Sequence, residues 1–363
     1  MTGVINDAIS KLARSSVKAI TPYASARRSI SGTTAATWLN ANENALATEY
    51  QVAGEFNRYP DCQPAILLQA YANYAGVASN QVLISRGADE AIELLIRSFC
   101  EPKQDSITLC PPTYGMYAIS AQSQQVNTNI VPLTADCQLD LPAILATKPK
   151  LVFICSPNNP TGNIIPQAQI ITVLEHYKTS ALVVVDEAYI EFISQSSVAS
   201  LLKQYPNLVV LRTLSKAFAL AGLRCGFTLA NADVINALKQ IIAPYPLAEP
   251  VVQIACQALQ TDAINEMQQK VVVINQLRNN FIDFAKGLSG IKKVWPSDAN
   301  FVLLQVADAT HLIKALQQQG ILVRNQSNQL GLAEVVRVSI GNAEQMQNLQ
   351  QALQNYFNLQ ESI

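Results

Sequence analysis

Residues 151–190 read LVFICSPNNPTGNIIPQAQIITVLEHYKTSALVVVDEAYI. This stretch begins with a short apolar run, LVFIC at 151–155, and a second run, ALVVV, occupies 181–185. Between the two runs, apolar side chains recur at helical spacing at Ile170, Val173, Leu174 and Tyr177. Two buried strands joined by a helix predict a parallel strand–helix–strand unit.

The same alternation extends on both sides of this unit. Further strand-sized apolar runs are VLIS at 82–85, SITLC at 106–110, LVVLRT at 208–213 and GFTLA at 226–230. Strands interleaved with helices predict an α/β fold built on a largely parallel sheet with helices on its faces. After residue 260 the pattern changes to one long helix, three strands (FVLLQV, ILVRN and VVRVSIG) and a terminal helix, which predicts a smaller α+β unit.

The length of the chain favours two domains. Its 363 residues exceed the roughly 250 to 300 residues that a single hydrophobic core usually serves. The turn-rich stretch APYPLAEP at 243–250 indicates a boundary. We expect a large domain over 46–246, and a small domain formed by 1–45 together with 247–363.

Composition excludes several classes of protein. Hydrophobic residues make up 49% and charged residues 14%, which argues against a disordered chain or a coiled coil. The net charge of -1 gives no general attraction for nucleic acid or for anionic lipid. No apolar run approaches the roughly eighteen residues of a membrane span. The chain has seven cysteines and no CxxC pair, which argues against a disulfide framework and favours a cytoplasmic protein. It has only two histidines, so we expect no metal site.

The first twenty residues allow two interpretations. Apolar residues recur at helical spacing at Val4, Ile5, Ile9 and Leu12, among serines and basic residues. Such a composition is compatible with a transit peptide. We favour an ordinary amphipathic helix, because Asp7 interrupts the basic face and no small-residue cleavage pattern follows.

The segment LRTLSKAFALAGLRCGF at 211–227 carries the strongest chemical signal. A buried strand ends here and is followed by Ser215, Lys216 and Arg224 among small residues. A single lysine after a strand is more often a solvated side chain than a nucleophile. The glycine fingerprint of dinucleotide-binding folds and the Walker lysine motif are both absent from the sequence, which removes the usual support for a nicotinamide or nucleoside-triphosphate site.

Three other strand ends place polar groups where ligands collect in an open α/β sheet. Asp186 follows ALVVV, Asn159 follows LVFICSPN, and GADE at 87–90 follows VLISR. The last group begins a helix with small residues, so its free backbone N–H groups can hold an anion. Each group alone is more simply a cap or a turn, but together they predict one crevice.

The combination of these groups matches one cofactor. Pyridoxal phosphate requires an amine nucleophile, a carboxylate partner for its pyridine nitrogen, hydrogen bonds to its ring hydroxyl, a stacking face and a phosphate site. The lysine, the carboxylate, the amide, nearby tyrosines and the anion cradle with its arginine supply this set. We therefore expect pyridoxal 5'-phosphate as cofactor.

Longer motifs show a family resemblance at this point. SPNNPTG, VVVDEAYIEF and LRTLSKAFALAGLRCGF resemble the fold-type I pyridoxal-phosphate aminotransferases. Within that family, LNANEN at 39–44, NRYPD at 57–61, SRGADEAIELLIRSFCEP and CPPTYGMY resemble the histidinol-phosphate aminotransferase subgroup, and the likeness runs from about Thr21 to Gly341. It implies a large domain with a mostly parallel seven-stranded sheet and a small α+β domain.

The resemblance also implies a role for each cofactor-binding residue. Lys216 would bind the cofactor covalently and then shuttle a proton, while Asp186 would keep the pyridine nitrogen protonated. Asn159 and Tyr189 would bond the ring oxygen, and Tyr114 would stack on the ring. The cofactor phosphate would be held by Ser215, Arg224, the backbone amides of Ala88 and Asp89, and Tyr59 of a neighbouring subunit.

For the substrate, the resemblance implies histidinol phosphate and the glutamate/2-oxoglutarate pair as reactants, in histidine biosynthesis. Arg337 and Arg324 would bind their anionic groups. Tyr23 and Asn42 match positions that close over the substrate. The shared tyrosine implies a homodimer. Ala45 departs from the family, in which many members have proline after LNANEN, and this leaves the local loop less rigid.

Three alternatives share this sequence pattern. A decarboxylase of threonine phosphate and an aromatic-amino-acid aminotransferase would keep both cofactor and fold. A regulator that senses pyridoxal phosphate would carry an added DNA-binding domain, for which the twenty residues before TPYASAR leave too little chain. The LNANEN and PPTYGMY motifs favour the aminotransferase of histidinol phosphate.

Overall fold

The computed structural model describes residues 12–23, 25–26, 37–54 and 56–361. The N-terminal helix expected from Val4, Ile5 and Ile9, like its transit-peptide alternative, lies outside the described residues. A short helix, α1 (Ser15–Lys18), and a short strand, β1 (Thr37–Trp38), come first in the described chain. Among the helices of this described part, none has the length and apolarity needed to cross a membrane.

A seven-stranded sheet forms the centre of the molecule. Its strands are β2 (Val82–Ser85), β3 (Ser106–Leu109), β4 (Asn127–Ile130), β5 (Leu151–Cys155), β6 (Leu182–Asp186), β7 (Leu208–Thr213) and β8 (Gly226–Ala230). They lie in the order β2, β8, β7, β6, β5, β3, β4. All neighbours pair in parallel except β8, which is antiparallel to both β2 and β7. The expected mostly parallel seven-stranded sheet is confirmed.

Helices cover both faces of this sheet because the strands other than the edge strand β4 are buried on both sides. Val152 and Ile154 of β5 belong to one apolar cluster, and Leu151 and Phe153 belong to the other. The helices along this part of the chain are α2 (Ala65–Ala75), α3 (Ala88–Phe99), α4 (Met116–Ser123), α5 (Leu141–Leu145), α6 (Gln167–His176), α7 (Ala232–Lys239), α8 (Glu249–Ala258) and α9 (Thr261–Lys286). Side chains of α3, α4 and α7 pack on one face, and those of α2, α5, α6, α8 and α9 contribute to the cluster on the other.

The C-terminal part forms a smaller, antiparallel sheet. Its elements are β9 (Lys293–Val294), β10 (Phe301–Gln305), α10 (Ala309–Gln318), β11 (Ile321–Leu322), β12 (Arg324–Asn325), β13 (Val335–Ser339) and α11 (Ala343–Glu361). The four-stranded order is β12, β13, β10, β9. β11 pairs instead with β1, so that Thr37 lies opposite Ile321. The N-terminal segment is therefore bound to the C-terminal part.

The strands that the sequence did not reveal are short or polar. β4 reads NTNI, lies at the edge of the large sheet, and has three exposed residues and one half-buried residue. It forms because the backbone of β3 offers it hydrogen bonds, not because it buries apolar side chains. β1 and β9 have two residues each, which is too few for any periodic pattern.

A buried ion cluster fixes the chain that follows β6. The Arg212 guanidinium donates to Glu187 at 2.7 Å, to Glu191 at 3.2 Å and to the Ser197 hydroxyl at 2.9 Å. The side chains of the arginine and of both glutamates are more than 90% buried. Because buried charges are costly when unpaired, this cluster holds β7 and the segment after β6 in one arrangement.

We expect Arg212→Met to destabilise the protein by about 3–5 kcal/mol, because it leaves two carboxylates buried without a cation. Urea unfolding measures the change. The matched control is Lys178→Met, since Lys178 pairs with Glu175 at 3.4 Å on the exposed surface and should lose about 1 kcal/mol or less. Equal losses in the two variants would contradict a structural role for the cluster.

Candidate active site

A cavity of about 260 Å³ lies where the carboxyl ends of β5, β6 and β7 face the four-stranded sheet. Thirteen of the fourteen residues proposed from the sequence line it: Tyr23, Asn42, Ala88, Asp89, Tyr114, Asn159, Asp186, Tyr189, Ser215, Lys216, Arg224, Arg324 and Arg337. The remaining one, Tyr59, does not line it. The structure therefore brings together strand ends that are far apart in the sequence.

Lys216 follows β7 and points its amine into the cavity. Its Nζ donates to the carbonyl of Ala41 at 3.1 Å and lies 5.5 Å from the centre of the Tyr189 ring. Burial, together with the smaller effect of the positive charge of Arg337, lowers the pKa of Lys216 to about 8. The amine is therefore partly neutral near pH 8, which is what a nucleophile requires.

Asp186 is the last residue of β6 and is 3% exposed. Its Oδ2 accepts a hydrogen bond from the Tyr117 hydroxyl at 2.6 Å, and its Oδ1 accepts one from the Ala188 N–H at 3.1 Å. Burial raises the pKa of Asp186 to about 6, although both hydrogen bonds oppose the shift. At neutral pH the cavity thus contains a buried carboxylate that can bind a cationic ring nitrogen.

An anion cradle is formed where α3 begins. Gly87 has a φ of +80°, and a Cβ on Gly226 would lie 2.5 Å from the Gly87 carbonyl carbon and 2.6 Å from the Ala88 nitrogen. Glycine at 226 therefore lets the first turn of α3 approach β8. Arg224 Nη1 lies 3.4 Å from the Ser215 hydroxyl, so a cation, a hydroxyl and free helix N–H groups converge on one place, as phosphate binding requires.

A polar network connects the rest of the cavity. The amides of Asn42 and Asn159 donate to the Tyr189 hydroxyl at 3.0 and 3.3 Å. Arg337 donates to the Asn159 amide oxygen at 2.6 Å and to the Asn40 carbonyl at 3.1 Å. Its buried Nε has no hydrogen-bond partner within the described chain, and burial lowers the pKa of Arg337. This arginine therefore retains a donor for an anion.

Aromatic side chains close the cavity on one side. The Tyr114 hydroxyl donates to Asp89 at 2.9 Å, and the Tyr23 ring meets the Tyr114 ring edge-on at 6.0 Å. Burial raises the pKa of both tyrosines, so both hydroxyls stay protonated near neutral pH. Tyr114 offers a fixed ring face in this wall.

Tyr59 lies apart from these residues. It is 80% exposed and stacks on Tyr245 with ring centres 4.3 Å apart. A single chain therefore does not place it at the cavity.

Sequence reasoning missed several residues of the cavity and its wall. Cys155, Thr213, Gln326 and Gln329 line the cavity, and Tyr117 binds Asp186 from behind it. Gln326 follows Arg324 by two positions, and period-2 alternation along an extended segment could have found it. Tyr117 had no such signal, because its spacing on α4 is that of a core aromatic residue.

The cavity fits pyridoxal phosphate on its own chemistry. Lys216 could form the covalent attachment, the Asp186 carboxylate could face the ring nitrogen, and the start of α3 could hold the phosphate. Because residue 226 is a glycine, β8 lies close to the start of α3, and this brings the N–H groups of the anion site into place. A Cβ at this position would block the close approach. Two further arginines, Arg324 and Arg337, also line the cavity.

Comparison with known sequences gives the family. Residues 31–353 match the model of the family described as Aminotransferase class I and II. The histidinol-phosphate aminotransferase of Yersinia enterocolitica is 52% identical over 348 residues, which are 95% of this chain and 92% of that protein. That of Serratia proteamaculans is 51% identical over 348 residues, which are 95% of this chain and 96% of that protein.

Solved structures agree in fold. The histidinol-phosphate aminotransferase of Sinorhizobium meliloti in complex with pyridoxal-5'-phosphate has a TM-score of 0.85 at 23% identity and covers 96% of this chain and 98% of its own. That of Clostridium acetobutylicum has a TM-score of 0.81 at 26% identity, with 89% and 99% covered. The chain belongs to the class I and II aminotransferases, which have the fold-type I architecture and depend on pyridoxal phosphate.

Proposed function

We propose that the chain catalyses the reversible transamination of histidinol phosphate with 2-oxoglutarate, which gives imidazole acetol phosphate and glutamate, in L-histidine biosynthesis. The observation that carries this proposal is the identity of 51–52%, over 95% of the chain, to proteins named histidinol-phosphate aminotransferase. The cavity supports it because both reactants are anions and Arg324 and Arg337 lie side by side in its lining.

In the proposed transamination, Lys216 is the nucleophile that binds the cofactor covalently. Pyridoxal phosphate, when bound, supplies an electron sink for the charge that develops at the substrate α-carbon. Once the donor amine has displaced it, Lys216 Nζ would take the proton from that carbon and deliver it to the C4′ carbon of the cofactor. A pKa of about 8 suits both directions of proton transfer near neutral pH.

Asp186 stabilises the proton on the pyridine nitrogen, and its burial strengthens this interaction. Asn159 and Tyr189 bond the ring oxygen, supported by the hydrogen bond between the Asn159 amide and the Tyr189 hydroxyl. Tyr114 stacks on the ring from the aromatic side of the cavity.

The cofactor phosphate is held at the start of α3 by Ser215, Arg224 and the backbone N–H groups of Ala88 and Asp89. The positive end of the helix and the Arg224 guanidinium both favour the dianion. Asp89 pairs with Arg224 at 3.4 Å and accepts the Tyr114 hydroxyl, so its carboxylate orients both neighbours.

The substrate anions bind to Arg337 and Arg324, and Tyr23 and Asn42 close over the substrate. Arg337 is held by Asn159 and by the Asn40 carbonyl, and its Phe301 neighbour lies 5.4 Å below the guanidinium. A planar guanidinium fixed in this way suits a carboxylate or a phosphate.

The proposal includes a homodimer with shared sites in the cytoplasm. Tyr59 would reach the cofactor phosphate of the neighbouring subunit, which is consistent with its 80% exposure and its distance from its own cavity. We also propose the division into a large domain, 46–246, and a small domain, 1–45 with 247–363. The pairing of β1 with β11 supports assigning the N-terminal segment to the small domain.

Steady-state turnover tests the proposed activity. The holoenzyme should convert histidinol phosphate and 2-oxoglutarate to glutamate, and phenylalanine as donor should give a kcat/KM lower by roughly a hundredfold or more, because it leaves buried donors for the phosphate unpaired. Faster release of carbon dioxide from threonine phosphate than transamination of histidinol phosphate would show that the chain is a decarboxylase.

Variants of lysine residues complete this test. Lys216→Ala should abolish turnover, and borohydride should fix the cofactor on Lys216 in the wild-type protein. Lys239→Ala, at the end of α7, is the control and should retain both activity and labelling. Labelling of any lysine other than Lys216 would contradict its role.

We expect Arg337→Ala to retain the cofactor and to lose substrate binding. The loss of a charge-assisted interaction costs about 1.5–3 kcal/mol, which is a 10- to 150-fold fall in kcat/KM for both glutamate and histidinol phosphate. Absorbance of the bound cofactor and steady-state kinetics measure the two properties. The control Arg97→Ala, on the exposed side of α3, should leave both unchanged. A normal kcat/KM in Arg337→Ala would exclude this arginine from the site.

Subunit complementation tests the shared site. A heterodimer of a Lys216→Ala chain and a Tyr59→Ala chain has one site with an intact lysine and an intact partner tyrosine. Mixing the two variants under conditions of subunit exchange, at limiting cofactor, should therefore raise activity above that of either parent. If exchange is confirmed and activity does not rise, Tyr59 does not act on the partner subunit.

A further inference from the structure

Tyr117 contacts the base of the cavity from the protein interior. Its hydroxyl donates to Asp186 Oδ2 at 2.6 Å, and its side chain is fully buried. The ring stacks on Phe153 with centres 4.8 Å apart and meets the Tyr114 ring edge-on at 5.6 Å. Packing on two sides fixes the ring, so the direction of the hydroxyl is fixed as well.

The Tyr117 hydroxyl can act only as a neutral donor to this carboxylate. Burial raises the pKa of Tyr117 well above 10, and the charge of Asp186 raises it further. Asp186 is not a member of any salt bridge in the described part of the chain. Its charge is therefore stabilised by hydrogen bonds, from Tyr117 and from the Ala188 N–H.

A carboxylate with two such bonds retains acceptor capacity, since each oxygen can accept a second hydrogen bond. Asp186 lines the cavity, so this capacity is available to a ligand there. The two protein donors thus fix the orientation of the carboxylate and leave one side of it for a ring N–H.

We propose that Tyr117 is a positioning residue of the transaminase, which keeps the Asp186 carboxylate ionised and oriented for the pyridine nitrogen of the cofactor. The inference rests on the proposed function for the identity of that cofactor. The contact between Tyr117 and Asp186 does not depend on it, so the two can be tested separately.

The hydrogen bond has a defined effect on pH dependence. Burial raises the pKa of Asp186 to about 6, even though the hydrogen bonds from Tyr117 and from the Ala188 N–H oppose the shift. Two other carboxylates near Asp186, those of Asp89 and Glu187, raise its pKa. The same cavity also contains three further titratable groups: the Cys155 thiol, the Tyr189 hydroxyl and the Lys216 amine. Loss of the Tyr117 hydroxyl removes a lowering contribution, so the pKa of Asp186 must rise.

Activity requires the ionised form of Asp186. In the wild-type holoenzyme a cationic ring nitrogen beside Asp186 lowers its pKa below the value of about 6 that it has without cofactor, so activity is expected to fall only at a pH below 6. In Tyr117→Phe the same fall should begin at a higher pH, and kcat at neutral pH should drop by about tenfold, the lower end of the range for losing a hydrogen bond to a charged group. A merely structural role for the hydroxyl would lower activity without moving the profile.

Carbon NMR of the full chain without cofactor measures the effect directly. Aspartate labelled at its carboxyl carbon is titrated, and the Asp186 signal is assigned by its loss in Asp186→Asn. Tyr117→Phe should titrate at a higher pH than wild type. The control Tyr177→Phe removes a hydroxyl that lies 2.6 Å from the Ile144 carbonyl, away from the cavity, and should titrate as wild type does.

Replacement of Tyr117 by 3-fluorotyrosine provides the opposite perturbation, because fluorine makes the hydroxyl a stronger donor. The pKa of Asp186 should then fall below the wild-type value. The fluorinated protein also keeps the test decisive if Tyr117→Phe does not fold.

The pyridine nitrogen of the holoenzyme gives a second measurement. In Tyr117→Phe, the resonance of a nitrogen-15 label in the pyridine ring should move towards that of the unprotonated ring.

The inference is overturned if folded Tyr117→Phe leaves the Asp186 titration unchanged. It is also overturned if Tyr117→Phe and the fluorinated protein shift that titration in the same direction. If the titration shifts as expected while the wild-type enzyme fails to transaminate histidinol phosphate, the coupling of Tyr117 to Asp186 is supported and the proposed substrate is wrong.

Discussion

The parallel hydrogen-bond ladder of β5, β6 and β7 is the constraint on which the cavity depends. In this ladder Cys155 lies beside Asp186, and Asp186 lies beside Leu211. Parallel strands end at the same edge, so the loops after them bring the cavity residues together although helices separate them in the sequence. Because the ladder is formed on folding, these groups require little further ordering when a ligand binds.

Asp186 and Glu187 show how the structure separates two uses of buried charge. Successive residues leave the end of β6 on different sides: Asp186 lines the cavity, whereas Glu187 pairs with Arg212 in the interior. The Glu187 carboxylate is fully paired and fixes the chain, whereas the Asp186 carboxylate is held by hydrogen bonds alone in the described part of the chain. A buried charge without an ion pair is energetically costly unless a bound ligand supplies the opposite charge. The side of β6 from which Asp186 faces the cavity is therefore the functional side.

Sequence reasoning succeeded where burial and strand ends determine the structure. The large sheet follows from apolar runs such as LVFIC and LVVLRT, and its edge gathers Lys216, Asp186 and Asn159 because strand ends meet there. It could not find β4, whose polar residues are ordered only by the backbone of β3. It also could not find Tyr117, since which buried tyrosine meets a carboxylate depends on how α4 packs on the sheet.

The small sheet presents the cavity with two like charges. Arg324 and Arg337 are directly opposite in the antiparallel pair of β12 and β13, so their side chains leave the same face. Like charges in this position repel each other, and the repulsion is relieved when an anion binds between or beside them. The relief does not depend on whether the anion is a carboxylate or a phosphate. This explains how one pocket can serve both half-reactions of the proposed transamination, which bring reactants of different shape but the same sign of charge.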